Sequence, residues 1–129
     1  MTSKAFSASP FSELVGVETL EASSGRAVTA LTLTERHCNT LGVCHGGAIF
    51  TLADRAFGAA ENCTDTPNVG MEMHVRFLRP AHAGQRLTAT AEQVHDGAST
   101  SFYRIDVRDE AGRLVAALTS TGHTFRRRS

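Results

Sequence analysis

A short block between Asn39 and Glu61, NTLGVCHGGAIFTLADRAFGAAE, combines open backbone donors with an isolated carboxylate. Gly46 and Gly47 stand where a helix is predicted to begin. Because they lack Cβ atoms, they leave the first backbone N–H groups accessible to a ligand. A helix N-terminus of this kind stabilises negative charge, whether a phosphate or a developing oxyanion. Asp54 follows two turns later and places a carboxylate on the same predicted helix.

The element that must position these groups is an amphipathic helix predicted over roughly Gly46 to Asn62. Asp54 lies off its apolar stripe, and none of its i±3 and i±4 neighbours is a cation, so no ion pair along the helix is predicted. Glu61, two turns further on, is predicted at the surface or at the rim of a pocket. Apolar residues recur at i, i+3, i+4, i+7, i+8 and i+11 and form one helical stripe: Ile49, Leu52, Ala53, Ala56, Phe57 and Ala60.

The rest of the chain predicts strands joined by tight turns, which make neighbouring strands antiparallel. In the third strand, Met71 and Met73 are expected in the core, and the alternate residues Glu72, His74 and Arg76 on a solvated face. One helix covers only one face, so the sheet should curl around it in an α+β fold. Residues 1–129 are predicted to form a single domain, with 1–11 as a loose N-terminal arm or a short leading helix, and with a helical turn at 12–17 that runs into the first strand. The strands are predicted at 15–21, 26–34, 69–77, 85–94, 99–108 and 113–125.

Composition excludes several classes of protein. The 129 residues carry 13 acidic and 13 basic side chains, and this balance argues against a general nucleic-acid binder. The basic cluster at Arg126 to Arg128 is typical of a solvated tail. The N-terminus has no long apolar run, so neither a signal peptide nor a membrane span is predicted. Three cysteines without a CxxC pair favour reduced thiols and a cytoplasmic location.

Two other kinds of chemistry are suggested by the loop before the helix. His37, Cys38, Cys44 and His45 are metal-ligating residue types, but their spacing fits no common zinc pattern, so no metal is expected. Cys44 precedes a helix N-terminus, which could lower its thiol pKa and make it a nucleophile. That alternative stays open beside the carboxylate.

The same block resembles a known family. An Asn lies six residues before His-Gly-Gly, and Leu-Ala-Asp follows, at Asn39, His45 to Gly47 and Leu52 to Asp54. This pattern resembles the PaaI-type acyl-CoA thioesterases, which are associated with phenylacetate catabolism, and the order of elements resembles the hotdog fold. The run FLRP at 77–80 is similar to the end of the third strand in that family. The resemblance extends in element order over nearly all of residues 12–124.

The resemblance implies hydrolysis of an acyl-CoA thioester, and it suggests aryl or phenylacetyl acyl groups. Coenzyme A would be part of the substrate, and no separate cofactor is expected. Asp54 would attack or activate water, the Gly46 N–H would polarise the carbonyl, and Asn39 and His45 would support them. Some relatives have a hydroxyl residue at the start of the third strand. Its absence at residues 69–71 leaves the choice between nucleophile and general base open. Gly47, Phe50 and Thr51 are assigned to the substrate. Arg76, Arg79 and Arg104 are candidates for the coenzyme A phosphates by charge alone.

Spacing adds a geometric demand. Eight residues separate Gly46 from Asp54 on one helix, which is roughly 12 Å along its axis. An attacking group and an oxyanion donor must both reach one carbonyl, at about 3 Å. A second, antiparallel copy of the helix can bring them together, so a composite site in a homodimer is predicted, with a homotetramer as the expected assembly. Gly58 would permit close approach of the partner.

Three other functions remain as alternatives. One is a non-catalytic acyl-CoA-binding or sensing module of the same fold, which could discard the carboxylate of Asp54. Another is a hotdog hydratase or dehydratase, whose Asp–His pair in a different loop context is not found here. The last is a purely structural interaction domain, in which two glycines at a helix start would be a stability cost without a purpose.

Overall fold

The computed structural model of the chain describes residues 9–62 and 68–125. Within these ranges the fold has one long α-helix, one short α-helix, a 3-10 turn at Glu35–His37 and six strands, and no helix there has the length and hydropathy to cross a membrane. In chain order the elements are α1 (Pro10–Val15), β1 (Glu18–Ser23), β2 (Arg26–Thr32), α2 (Gly46–Glu61), β3 (Asn68–Phe77), β4 (Arg86–Asp96), β5 (Thr100–Arg108) and β6 (Leu114–Thr124).

The six strands form one sheet in the order β1-β2-β4-β5-β6-β3, and every neighbouring pair is antiparallel. Helix α2 packs against this sheet and buries the apolar core between them. The α+β architecture predicted from the sequence, with one long helix and an antiparallel six-stranded sheet, is confirmed. Five of the six strands were predicted to within about two residues at each end, because their turns and alternation are local signals.

Helix α2 buries the predicted stripe. All six of its apolar residues, from Ile49 to Ala60, are at most 3% exposed. The helix is tied to the sheet at two levels: the Thr29 hydroxyl donates to the Leu52 carbonyl at 2.8 Å, and the rings of Phe57 and Tyr103 meet edge to face at 5.2 Å. These contacts fix the rotation of α2, and therefore determine which of its side chains face away from the core.

The N-terminal segment differs from its prediction. Ser9 caps α1 by accepting the Ser12 N–H, and Pro10 occupies the first turn, where its missing N–H costs nothing. Gly16, at φ 98°, ends the helix. For residues 9–11 the short leading helix is therefore confirmed and the loose arm is wrong, and residues 1–8 lie outside the described part. The first strand begins at Glu18, not Val15, because α1 and its glycine cap occupy that stretch.

Strand β3 is an edge strand with an irregular face. The register to β6 shifts between Gly70 and Glu72, so Met71 is the extra residue of a β-bulge. Met71 is 62% exposed, and its prediction as a core residue is wrong because the bulge breaks the alternation. Met73 is half-buried and packs against the core as predicted. Along one side, β3 pairs with no other strand of the described chain.

Candidate active site

Helix α2 begins with an open backbone donor. His45 has extended φ and ψ of −65° and 137°, and its Nδ1 accepts the Gly47 N–H at 3.1 Å as an N-cap. A ring that accepts at Nδ1 is neutral and carries its proton on Nε2, which stays available as a donor. Within residues 9–62 and 68–125, the Gly46 N–H has no acceptor. Gly46 therefore presents the unsatisfied N–H that an oxyanion requires.

Close packing explains why residue 46 is a glycine. A Cβ added to Gly46 would lie 3.0 Å from Cζ of Phe77, at the end of β3. The Phe77 ring is 52% exposed and covers this helix start without enclosing it. Sequence reasoning did not assign Phe77 to the site, since the contact joins residues 31 positions apart. The FLRP run at 77–80 was the sequence feature that could have placed Phe77 at the site, but it was used only for the resemblance.

Asn39 builds the loop that leads into α2. Its Oδ1 accepts the N–H groups of Leu41 and Val43 at 2.9 and 3.2 Å, and its own N–H donates to the Val43 carbonyl at 2.8 Å. These bonds make Asn39 a turn former, one of the two roles that its residue type allows. Because Oδ1 is occupied by the loop, the side-chain NH2 is the group with which Asn39 could contact a substrate.

Asp54 lies on the exposed side of α2, off the buried stripe as predicted. Desolvation by the surrounding protein raises its pKa, and the charge of Arg55 acts in the opposite direction. This effect of Arg55 comes from the adjacent position, which the i±3 and i±4 spacing does not cover, and it lowers the pKa of Asp54 against the larger effect of desolvation. The Arg55 Nε donates to Thr19 Oγ1 on β1 at 3.2 Å, which draws that guanidinium toward the sheet edge.

The other predicted site residues lie either in the first two turns of α2 or near Phe77 at the end of β3, and they differ in their contacts. Thr51 donates its hydroxyl to the Gly47 carbonyl at 2.8 Å, and Phe50 is half-buried against the core. Arg76 and Arg79 are exposed and flank Phe77 in the chain, the residue that contacts Gly46. The two arginines therefore lie on the segment that reaches the helix N-terminus.

The alternative chemistries lose support. Burial, followed by the charge of Cys38, raises the pKa of Cys44 to about 11, the opposite of the lowered pKa that a thiolate nucleophile needs. Both ring nitrogens of His37 are engaged, with the Thr34 N–H at 2.9 Å and with the Val15 carbonyl at 2.6 Å. Among the described residues, no three His, Cys, Asp or Glu side chains are grouped so that they could hold a metal ion.

The structure adds a residue that sequence reasoning placed wrongly. Glu61 ends α2 and is only 6% exposed, so the prediction that it lies at the surface or at a pocket rim is wrong. In the described chain, Glu61 Oε2 and Ser120 Oγ are buried without a hydrogen-bond partner. Gly122 of β6 provides the space, because a Cβ there would collide with Oε2. Burial, and then the charge of Asp54, raises the pKa of Glu61 to about 7.

This buried carboxyl should make the stability of the fold depend on pH. The folded protein favours the protonated, neutral form of Glu61, because burial raises its pKa from the ordinary value of 4.5 to about 7. The stability that protonation gives is fully present below pH 4.5 and is lost as the pH rises through 7. The loss is about 3 kcal/mol for such a shift. We expect Glu61→Gln to unfold at higher urea concentration than the wild type at about pH 8, and at a similar concentration at about pH 4.

The measurement is a pair of urea titrations at the two pH values, followed by circular dichroism. Glu92→Gln, which removes an exposed carboxylate from β4, is the matched control and should leave the pH dependence unchanged. Equal pH dependence in the wild type and Glu61→Gln would show that Glu61 is ionised in the folded protein at no cost.

Comparisons with known proteins agree with this fold. The thioesterase superfamily model matches residues 41–116. Acyl-coenzyme A thioesterase PaaI of Escherichia coli is 36% identical over 109 residues, which are 84% of this chain and 78% of that protein. The crystal structure of the TT0310 protein of Thermus thermophilus has a TM-score of 0.87 at 36% identity, covering 92% of this chain and 100% of that one.

One of the similar solved structures contains coenzyme A. A hypothetical thioesterase protein of Streptococcus pneumoniae, crystallised with coenzyme A, has a TM-score of 0.81 at 26% identity and covers 88% of this chain and 89% of that one. The family match, the identity to PaaI and the structural similarity to the T. thermophilus protein together show that the chain belongs to the thioesterase superfamily. It is a hotdog-fold thioesterase of the PaaI type.

Proposed function

We propose that this enzyme hydrolyses acyl-CoA thioesters to a free acid and coenzyme A, in a site composed of Gly46 from one subunit and Asp54 from its partner. The observation that carries the proposal is the Gly46 N–H, which meets no acceptor in the described chain at a helix start that a side chain cannot occupy without moving Phe77. Such a donor stabilises the oxyanion formed when a thioester carbonyl is attacked.

Asp54 supplies the attack. Its carboxylate either takes a proton from a water molecule, whose oxygen then bonds to the carbonyl carbon, or bonds to that carbon itself before water releases the acid. In both routes the carbon–sulfur bond breaks and coenzyme A leaves as a thiolate that is then protonated. Desolvation raises the pKa of Asp54, and a higher pKa makes its carboxylate a stronger base. The reaction needs water and no further cofactor.

Two features of the fold support a homodimer. The edge strand β3 is ten residues long and exposes Val69, Met71 and Phe77, a combination that invites pairing with another chain. A Cβ at Gly58, one turn past Asp54, would meet nothing within 4 Å, so this part of the helix surface is open to a partner. Two-fold pairing lets antiparallel helices exchange Asp54 and Gly46, and a homotetramer could use the outer faces of two such dimers.

The remaining predicted residues have positioning roles in this proposal. Asn39 presents its side-chain NH2, and His45 presents its Nε2–H while it caps the helix. Gly47, Phe50 and Thr51 line the entry to the helix start, and Arg76 and Arg79 hold the phosphates of coenzyme A by charge. The acyl groups are proposed to be aryl or phenylacetyl in type, because the similar PaaI protein of E. coli comes from the phenylacetic acid degradation operon. The balanced charge and the odd number of cysteines support a cytoplasmic enzyme without nucleic-acid or membrane partners.

A panel of short, medium, long and aromatic acyl-CoAs tests the proposal. Thiol release is followed with a chromogenic disulfide, and binding of each acyl-CoA is followed by calorimetry on the same preparation. Hydrolysis with a preference for aromatic acyl groups is the expected result. Binding without thiol release would instead identify a non-catalytic acyl-CoA-binding or sensing module, which is the second candidate function.

The contribution of the Gly46 N–H can be isolated with two variants. Gly46→Ala keeps the N–H and adds the Cβ that displaces the Phe77 ring, whereas Gly46→Pro adds the same Cβ and deletes the N–H. Proline suits the first helical position, and the extended ψ of 137° at His45 suits a residue before proline. We expect kcat of Gly46→Pro to be about 10²- to 10³-fold below that of Gly46→Ala.

Steady-state kinetics on one good acyl-CoA substrate gives this ratio, and thermal melting shows whether both variants are folded. Equal kcat values for the two variants would mean that another group binds the oxyanion.

A further inference from the structure

Two cysteines face each other at the neck of the loop before α2. The Asn39 N–H donates to the Val43 carbonyl at 2.8 Å, and the His45 N–H donates to the His37 carbonyl at 2.7 Å. These two bonds flank the antiparallel bridge between Cys38 and Cys44, and neither cysteine takes part in them. The pair therefore occupies a non-hydrogen-bonded cross-strand position, where Cα atoms are about 4.5 Å apart and side chains are closest.

This separation suits a disulfide, whose Cα atoms are usually about 4.4 to 6.8 Å apart. Both side chains are thiols in the structure. Cys38 is half-buried, with its Sγ directed at the Thr34 carbonyl at 3.5 Å, and Cys44 is buried, with its Sγ directed at the His45 carbonyl at 3.5 Å. The charge of Cys38 contributes to the raised pKa of Cys44, so the two sulfur atoms lie within electrostatic reach. Rotation about each Cα–Cβ bond would bring them together.

We propose that Cys38 and Cys44 are a redox modification site and form a reversible disulfide under the action of a low-molecular-weight disulfide. Cys38, the more accessible thiol, loses its proton and attacks one sulfur of the small disulfide, which releases one small thiol and leaves a mixed disulfide. Cys44 then loses its proton and attacks the Cys38 sulfur, which releases the second small thiol. The raised pKa of Cys44 makes this second attack the slow step, although it does not change the products. The protein loses two hydrogens and two electrons, and the small disulfide gains them.

Closing this bond should affect the active site. Asn39 directly follows Cys38, and His45 directly follows Cys44, so the bond joins the backbone immediately beside both residues. Cross-strand Cβ atoms are about 4.5 to 5.5 Å apart, and a disulfide draws them to about 3.8 Å. A shift of about 1 Å in site residues can greatly slow an enzyme. This consequence for hydrolysis rests on the proposed function; formation of the disulfide does not.

The test uses the full chain with Cys63→Ser, which leaves Cys38 and Cys44 as its two cysteines and removes the thiol at a position outside the described residues. The protein is equilibrated in glutathione buffers of increasing oxidised fraction, alkylated, and analysed by intact mass and peptide mapping. We expect both thiols to disappear together, with a Cys38–Cys44 linked peptide, and dithiothreitol to restore them. The matched control, with Cys38→Ser added, should form no such peptide.

Hydrolysis is assayed on the same samples. We expect the oxidised protein to lose at least about threefold in kcat, reversed by dithiothreitol, while the control with Cys38→Ser does not respond to the buffer. A stable glutathione adduct on Cys38 beside a free Cys44 would overturn the disulfide. Full oxidation without change in kcat would overturn its coupling to the site. A reduced protein without any hydrolysis would count against the proposed function, while the mass data would still decide the disulfide.

Discussion

Replacing Asp54 by Asn is expected to lower kcat for acyl-CoA hydrolysis by about 10³-fold, within the range that a general base contributes. The substitution keeps the shape of the side chain and removes its negative charge and basicity. It should not unfold the protein, because Asp54 lies on the exposed side of α2 and its raised pKa shows that folding disfavours the charged form. Thiol-release kinetics and a thermal melt on the same sample separate loss of chemistry from loss of fold.

The pH dependence of the wild type gives an independent measure of the same group. Asp54 must be ionised to attack or to accept a proton, so kcat/KM should fall as the pH drops through its pKa. Because desolvation raises that pKa, the fall should occur above the ordinary value of 3.8.

Glu13→Gln, an equally small change to an exposed carboxylate on α1, is the control and should keep full activity. Retention of more than about a tenth of wild-type kcat by Asp54→Asn would remove Asp54 from the chemistry.

The long helix and most strands could be predicted because their signals are local. The apolar stripe from Ile49 to Ala60 is set by helical period alone, and its burial is confirmed. The strand expected at 15–21 begins at Glu18 because a short helix, capped by Ser9 and Gly16, extends through Val15. Ser9, Pro10 and Gly16 are start and stop signals of that helix, but the apolar residues between them favoured an earlier start of the strand. Met71 was misplaced because a β-bulge depends on the partner strand β6, which the alternation within β3 does not reveal.

The site also combines features that local sequence predicts with features that only contacts between distant residues produce. The donor at Gly46 and the carboxylate at Asp54 follow from one stretch of sequence and its helical period. The burial of Glu61 does not, because its acidic type predicts a surface position while its spacing from Phe57, one turn earlier, continues the buried stripe. The space for its carboxyl comes from Gly122, sixty-one residues away on β6, and only the folded sheet brings the two together.

The proposed function requires a second subunit to bring Asp54 and Gly46 together, and mixed dimers test this requirement directly. A heterodimer of one Asp54→Asn subunit and one Gly46→Pro subunit is expected to show about half of the wild-type activity per dimer, although both parent homodimers are nearly inactive. In that heterodimer one site combines both substitutions, and the other joins an intact Asp54 to an intact Gly46 across the interface.

The heterodimer can be isolated with two different affinity tags, and light scattering confirms its mass before the assay. Sites formed within one chain would give the opposite result, because each chain would then carry one defect and the heterodimer would stay inactive.

A second pairing makes the conclusion independent of stability. A chain with both Asp54→Asn and Gly46→Pro, paired with a wild-type chain, carries the same two substitutions in a different arrangement. If the sites are shared, each one now contains one defect, and the heterodimer should be nearly inactive. If each chain holds its own site, the wild-type chain keeps half of the activity. Since both heterodimers contain identical substitutions, damage to folding would lower both alike, and only a site shared between subunits makes the first active and the second inactive.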